Sequence, residues 1–206
     1  MEQKEVRTLL EQVSSGELDI DEAMLKLKEA PFEDLGFAKP DYHRALRQGI
    51  AEVIYGAGKT PEQIHDIVAS MIQQGQKSIL ITRMSSEAAE TVEQDFIIKY
   101  DKYSRIGLVG EIPEPDGIGK VVVAAAGTSD LPVAEEAAQT AECFGNEVIR
   151  LYDVGVAGLH RLLAHREEIM TARVIVAVAG MEGALASVIG GLADCPVIAV
   201  PTSVGY

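Results

Sequence analysis

Tryptophan is absent from the chain, and aromatic residues make up only 5% of it. A core must therefore be built from Val, Ile, Leu and Ala, whose small or β-branched side chains suit the tight layers of a parallel sheet. At 47% hydrophobic, the 206 residues can bury a sizeable core. Cysteine is scarce as well: Cys143 and Cys195 are too few for a disulfide framework. Positive charge is in short supply, with 18 Lys and Arg against 32 Asp and Glu and a formal net charge of −14. Nonspecific binding to nucleic acid or to an anionic membrane needs a positive field, so that balance disfavours both. The apolar runs near 121–126 and 174–179 fall far short of the roughly 20 residues that span a bilayer. Met1 to Lys28 is charged and helical rather than apolar, so no signal peptide is expected. The expected setting is a soluble, cytoplasmic protein.

Two common nucleotide fingerprints are also missing. Tyr55-Gly56-Ala57-Gly58-Lys59-Thr60 looks like the tail of a Walker phosphate loop, but Val53 stands where the first glycine belongs. Asp153 to His160 contains no G-x-G-x-x-G. A turn before a helix is the plainer reading of the first segment.

What is present divides near Gly110 to Lys120, where EIPEPDGIGK reads as a linker. Residues 1–115 are expected to hold a helical hairpin and a small α/β domain, and residues 116–206 a parallel α/β domain. In the hairpin, Val6, Leu9, Leu10 and Val13 recur at helical spacing, and Asp19 with Glu22 forms a capping-box pattern for a second helix. A helix over Pro61–Gln73, a strand over Ser78–Thr82 and a helix from Ser85 follow; beyond Gln94 the pattern is ambiguous. The second half alternates regularly. Strands are predicted at Val121–Ala125, Glu147–Tyr152, Arg173–Ala179 and Pro196–Val200, with helices near 131–144, 158–170 and 182–192. That alternation marks βαβ units and a parallel sheet.

In such a sheet ligands bind beyond the carboxyl ends of the strands. The predicted strand ends carry Gly127-Thr128-Ser129-Asp130, then Asp153, Gly155, Gly158 and His160-Arg161, then Gly180-Met181-Glu182-Gly183, then Pro201-Thr202-Ser203-Val204-Gly205. All four carry glycine together with Ser, Thr, Asp, Glu or His. Backbone N–H groups and hydroxyls of Gly127 to Ser129 suit an anion at a helix start. Asp130 is either the helix N-cap or a ligand to a ribose or an electrophile. His160 is a surface or capping residue, or a proton carrier. Arg161 either holds phosphate or solvates its helix. Glu182, between two glycines, is the favoured catalytic carboxylate, against a role as a helix-dipole partner. Cys143 and Cys195 read as core residues.

AAAGTSDLPVAEEA, VGVAGLHRL and the last strand–helix–strand resemble PurE-type aminoimidazole ribonucleotide carboxylases. GTSDLPVAEEA, YDVGVAGLHRL, AGMEGALAS and VIAVPTSVGY are more similar to the LarB family, as are DLGFAKPDYHRALRQG and EVIYGAGK. Met181-Glu182 stands where PurE-type enzymes carry small residues. The resemblance runs from about Asp34 to Tyr206. It implies a flavodoxin-like, doubly wound domain behind a smaller N-terminal one.

The activity it implies is carboxylation of the pyridinium ring of nicotinic acid adenine dinucleotide and hydrolysis of its phosphoanhydride. The products are pyridinium-3,5-biscarboxylic acid mononucleotide and AMP, for a nickel-pincer cofactor. Carbon dioxide or bicarbonate is the co-substrate and no cofactor is covalently bound. The diphosphate makes Mg²⁺ reasonable, and the metal ligands are unknown. By the same resemblance Glu182, Asp130 and His160 are catalytic or orienting, and Gly127, Thr128, Ser129, Gly180, Met181, Gly183 and Ser203 bind substrate. A homo-oligomer, an octamer, is implied.

Arg44, Arg47 and Lys59 are candidates for the AMP half from charge alone. The family's cysteine nucleophile follows the part matching PTSVGY, and neither Cys143 nor Cys195 matches it. The sequence as it stands is therefore expected to lack that group. Two other functions stay open: an aminoimidazole ribonucleotide carboxylase or mutase, and a noncatalytic nucleotide-binding module.

Overall fold

A computed structural model describes residues 3–28 and 32–205, in two compact units. Residues 1–99 with 107–110 make the first unit, and residues 100–106 with 111–206 the second.

The first unit begins with the expected hairpin, α1 (Gln3–Ser15) and α2 (Ile20–Lys28). Leu9 and Ala23 are buried. Asp19 does cap: its carboxylate accepts the Asp21 N–H at 2.8 Å. Glu22 is engaged elsewhere, pairing with Lys26 at 3.4 Å. After the short α3 (Arg44–Gln48), β1 (Ile54–Tyr55) leads into α4 (Pro61–Gln73) and β2 (Ser78–Thr82). A full capping box starts α4, with Thr60 and Gln63 satisfying each other's backbone N–H groups. The chain continues through α5 (Ser86–Glu93), β3 (Ile98–Asp101) and β4 (Ile106–Gly110). The sheet order is β1-β2-β4-β3.

The segment beyond Gln94, ambiguous in sequence, is thus the pair β3 and β4. Glycines hid it by interrupting the apolar alternation. One of them is required: Gly110 has φ 94°, and a Cβ there would lie 2.0 Å from the Lys77 carbonyl oxygen. One buried polar cluster pins this unit's early loop: Ser70 donates to Glu33 at 2.6 Å, and Tyr42 bonds both.

The second unit is α/β with an all-parallel sheet. Its strands are β5 (Lys120–Ala125), β6 (Glu147–Leu151), β7 (Val174–Ala179) and β8 (Val197–Pro201), in the order β6-β5-β7-β8. Helix α6 (Leu131–Cys143) buries Ala134 and Ala138 against Val121, Val123 and Val178 on one face. On the other face lie α7 (Leu159–Leu163), α8 (Arg166–Thr171) and α9 (Ala184–Gly190). They contribute Leu162, Ile169, Leu185 and Ile189 against Val122, Ala124, Ile175 and Ala177. Even successive residues of β5 thus enter different cores, which is why its sequence is continuously apolar. The helix expected over 158–170 is two helices. Between them His165 N–H turns back to the Leu162 carbonyl at 3.0 Å, a tight bond that ends α7.

Candidate functional site at the carboxyl edge of the parallel sheet

The order β6-β5-β7-β8 places the first strand of the unit beside the third. The chain leaves β5 toward α6 on one face and leaves β7 toward α9 on the other. The loops after these neighbours diverge, opening the crevice where doubly wound sheets bind ligands.

After β5, Gly127 leads into a 3₁₀ turn, Thr128–Asp130, and then α6. Thr128 and Ser129 are exposed, whereas Asp130 is only 4% exposed. A buried carboxylate needs donors, and this one has them on both oxygens. Gly127 N–H donates to Oδ2 at 3.1 Å, and the Thr202 hydroxyl donates to Oδ1 at 2.7 Å. Asp130 therefore ties the loop after β5 to the segment after β8.

The loop after β7 is shaped by left-handed backbone. Met181 has φ 54° and Gly183 φ 66°. Gly180 is required by crowding: a Cβ there would lie 2.4 Å from the Val204 carbonyl oxygen and 2.8 Å from Thr202 Oγ1. Met181 N–H donates to that same carbonyl at 2.7 Å. Met181, at 59% exposure, and Glu182 stand out from this loop. Glu182 already has an interaction of its own.

The loop after β6 lies close to that after β5, for a Cβ on Gly155 would approach the Ala126 carbonyl to 2.7 Å. Arg161, a candidate phosphate ligand in sequence, instead pairs with Asp153 at 2.5 Å. Its guanidinium covers Gly158, where a Cβ would sit 2.6 Å from Arg161 Nε. His160 is exposed on the first turn of α7. Ser203 is exposed, and its neighbour Thr202 is the residue that reaches Asp130. All four loops are joined by contact, those after β5 and β8 through Asp130, those after β7 and β8 at Gly180, and those after β5 and β6 at Gly155.

Residues 32–111 match the LarB/PurE-like N-terminal domain. Residues 120–206 match the AIR carboxylase domain. An uncharacterised protein of Methanocaldococcus jannaschii is 37% identical over 212 residues, a match covering 98% of this chain and 83% of the relative. The chain belongs to the LarB family. Its second unit is PurE-like, and both domains are those of carboxylase-type enzymes.

Within this LarB-family chain the cysteines stand at the other edge of the sheet. Cys143 ends α6 and Cys195 precedes β8, so each lies near the amino ends of the strands. Burial first, and then the Glu142 carboxylate, push the Cys143 thiol up to about 11. Such a thiol is protonated and unreactive at neutral pH. Among the described residues no helix is long and apolar enough to cross a membrane.

The charge-based candidates in the first unit fare unevenly. Lys59 Nζ donates to the Tyr55 carbonyl at 2.9 Å. Arg44 Nε is buried without a hydrogen-bond partner among the described residues. The Arg47 side chain lies outside the described residues.

Sequence reading missed Tyr103, whose hydroxyl donates to the Thr128 carbonyl at 3.3 Å. It also missed Thr202. The only signal for Thr202 was its place after a strand, which it shares with Ser203.

Proposed function

We propose that the protein carboxylates the pyridinium ring of nicotinic acid adenine dinucleotide and hydrolyses its phosphoanhydride, giving pyridinium-3,5-biscarboxylic acid mononucleotide and AMP. The observation that carries this over an aminoimidazole ribonucleotide carboxylase is the LarB-type N-terminal domain ahead of the PurE-like one. The exposed Met181-Glu182 pair at the crevice supports it, because it puts a long carboxylate where a reacting ring would lie.

In this reading the loop Gly127 to Ser129 binds phosphate through N–H and hydroxyl donors at the start of α6. Gly180, Met181 and Gly183 line the ring, and Ser203 donates to phosphate or to the ring carboxylate. Ring carboxylation exchanges a C–H bond for a C–C bond to carbon dioxide, and the proton needs an acceptor. The LarB family's cysteine, which follows the part matching PTSVGY, would supply the covalent nucleophile: its thiolate adds to the electrophilic ring to give an enamine, and the enamine attacks carbon dioxide. Glu182 then takes the ring proton as the nucleophile leaves. His160 is the second proton carrier. Asp130 serves by orientation, because both its oxygens already accept hydrogen bonds. Cys143 is excluded as nucleophile by its protonated thiol and its place at the far edge.

Among the described residues no group of three or more His, Cys, Asp or Glu is gathered for a metal. A Mg²⁺ ion held by the substrate diphosphate would neutralise its charge for hydrolysis. A homo-oligomer, an octamer around the parallel domains, belongs to the same reading, and light scattering after size exclusion measures it.

The test incubates the full-length protein with nicotinic acid adenine dinucleotide, Mg²⁺ and isotopically labelled bicarbonate, with products read by mass spectrometry. Labelled dicarboxylated mononucleotide and AMP are expected. Turnover of aminoimidazole ribonucleotide instead would assign the PurE reaction. Retention of the dinucleotide without turnover would leave a binding module. Glu182→Gln should lower label incorporation about a hundredfold or more with unchanged Tm, the range for loss of a general base.

A further inference from the structure

The turn between β3 and β4 belongs by its contacts to the second unit, although the strands it joins are in the first unit's sheet. Its geometry is fixed by one carboxylate. Asp101 Oδ1 accepts the Tyr103 N–H at 2.9 Å. Asp101 Oδ2 accepts the Ser104 hydroxyl at 2.8 Å, the Gln139 amide at 2.8 Å and the Ser104 N–H at 3.4 Å. Ser104 is 4% exposed, and its hydroxyl also accepts the Ile106 N–H at 3.3 Å. Gln139 belongs to α6 and reaches Glu135 as well, so the turn is fastened to the helix that follows the Gly127 loop. Burial raises the Asp101 pKa, but these donors outweigh it and hold the carboxyl below its ordinary value.

The fastened turn presents Tyr103. Its hydroxyl donates to the Thr128 carbonyl, which also accepts the Leu131 N–H. Both lone pairs of that oxygen are thereby used, and the plane of the Thr128–Ser129 peptide is set from two directions. The Thr128–Ser129 peptide is trans, like every other peptide among the described residues, so the N–H of Ser129 points opposite to the Thr128 carbonyl. An oxygen drawn toward Tyr103 sends the Ser129 N–H away from it. The Tyr103 ring itself is half exposed and makes no claim on the core.

We propose that Tyr103 is a positioning residue: held by the Asp101 turn, it orients the Thr128–Ser129 peptide so that the Ser129 N–H is aimed as a donor to a phosphate group of the substrate. This rests on the function proposed above for its ligand, whereas the loop geometry stands apart from it.

The test compares the full-length protein with its Tyr103→Phe variant, which keeps the ring and loses the hydroxyl. Two readouts are taken. Amide hydrogen exchange of the segment 126–131 is measured without ligand, and KM and kcat are measured with nicotinic acid adenine dinucleotide. Exchange in that segment should rise several-fold with unchanged Tm. KM should rise about three- to tenfold with kcat changed less than twofold, since losing the Tyr103–Thr128 bond leaves the Ser129 N–H less well aimed at the phosphate and weakens ground-state binding. Asp101→Asn, which weakens the fastening from behind, should move both readouts the same way. Unchanged exchange overturns the inference, as does a fall in kcat at constant KM. If the parent protein neither binds nor turns over the dinucleotide, the proposed function fails, and exchange still decides the role of Tyr103.

Discussion

Asp130 illustrates how much burial changes the meaning of a residue. In sequence it was equally a helix cap or a ligand to substrate. Folded, its carboxylate is buried and spends one oxygen on Gly127 N–H and the other on Thr202. Asp130→Ala leaves both donors unpaired, each costing roughly 1–3 kcal/mol. A loss of about 2–6 kcal/mol is expected in urea unfolding. A stability within 0.5 kcal/mol of the parent, about the error of such measurements, would mean the two bonds hold nothing together. Cys143 makes a second residue-level test. Its thiol titrates near 11 rather than at the ordinary 9.0. The folded state prefers the protonated form, so this group's contribution to stability is intact below 9.0 and declines as pH rises toward about 11. At pH 8 its alkylation by iodoacetamide should be at least tenfold slower than that of a free thiol, on the order of the thiolate fractions. Mass mapping of the labelled cysteine checks this. At this scale the sequence was a poor guide. It placed His160, Arg161 and Ser203 at strand ends, but not that Arg161 is occupied by Asp153 or that Thr202, not Ser203, reaches inward. Side-chain direction after a strand depends on loop geometry that neither composition nor spacing encodes.

Elements were far more legible. Continuous Val and Ala runs gave the parallel strands, and the helices between them followed from loop glycines and caps. Predicted and observed bounds for β5, β7 and α6 differ by a residue or less, because burial on both faces leaves a signal that no local preference contradicts. The failures were the pair β3 and β4, masked by Gly107 and Gly110, and the break between α7 and α8. Glycine that looked permissive proves obligatory at the site. With 2.4 Å to the Val204 carbonyl, a Cβ at Gly180 must push the segment after β8 away from the loop after β7. Gly180→Ala should cost about 1–3 kcal/mol, as overpacking does, and weaken dinucleotide binding in calorimetry. Parent-like affinity and Tm would show that the two loops need not touch.

For the molecule as a whole, a net charge of −14 sets the problem that a dinucleotide diphosphate would face. The bulk field repels such a ligand, so local donors must hold it. The carboxyl edge of the parallel sheet supplies them as backbone N–H groups and hydroxyls, around a carboxylate whose own charge is already answered. In the proposed function the reacting chemistry lies at this edge, while both described cysteines lie at the opposite one. The fold class and the position of the crevice could be read from sequence because they follow from strand order and patterning. Which residues reach into the crevice could not. Crystals of the full-length protein grown with nicotinic acid adenine dinucleotide test this most directly. We expect the pyridinium ring against Gly180 to Gly183, with its nearer phosphate on the N–H groups of Gly127 to Ser129. A dinucleotide seated away from the carboxyl ends of β5 and β7 would contradict both the site and the reaction built on it.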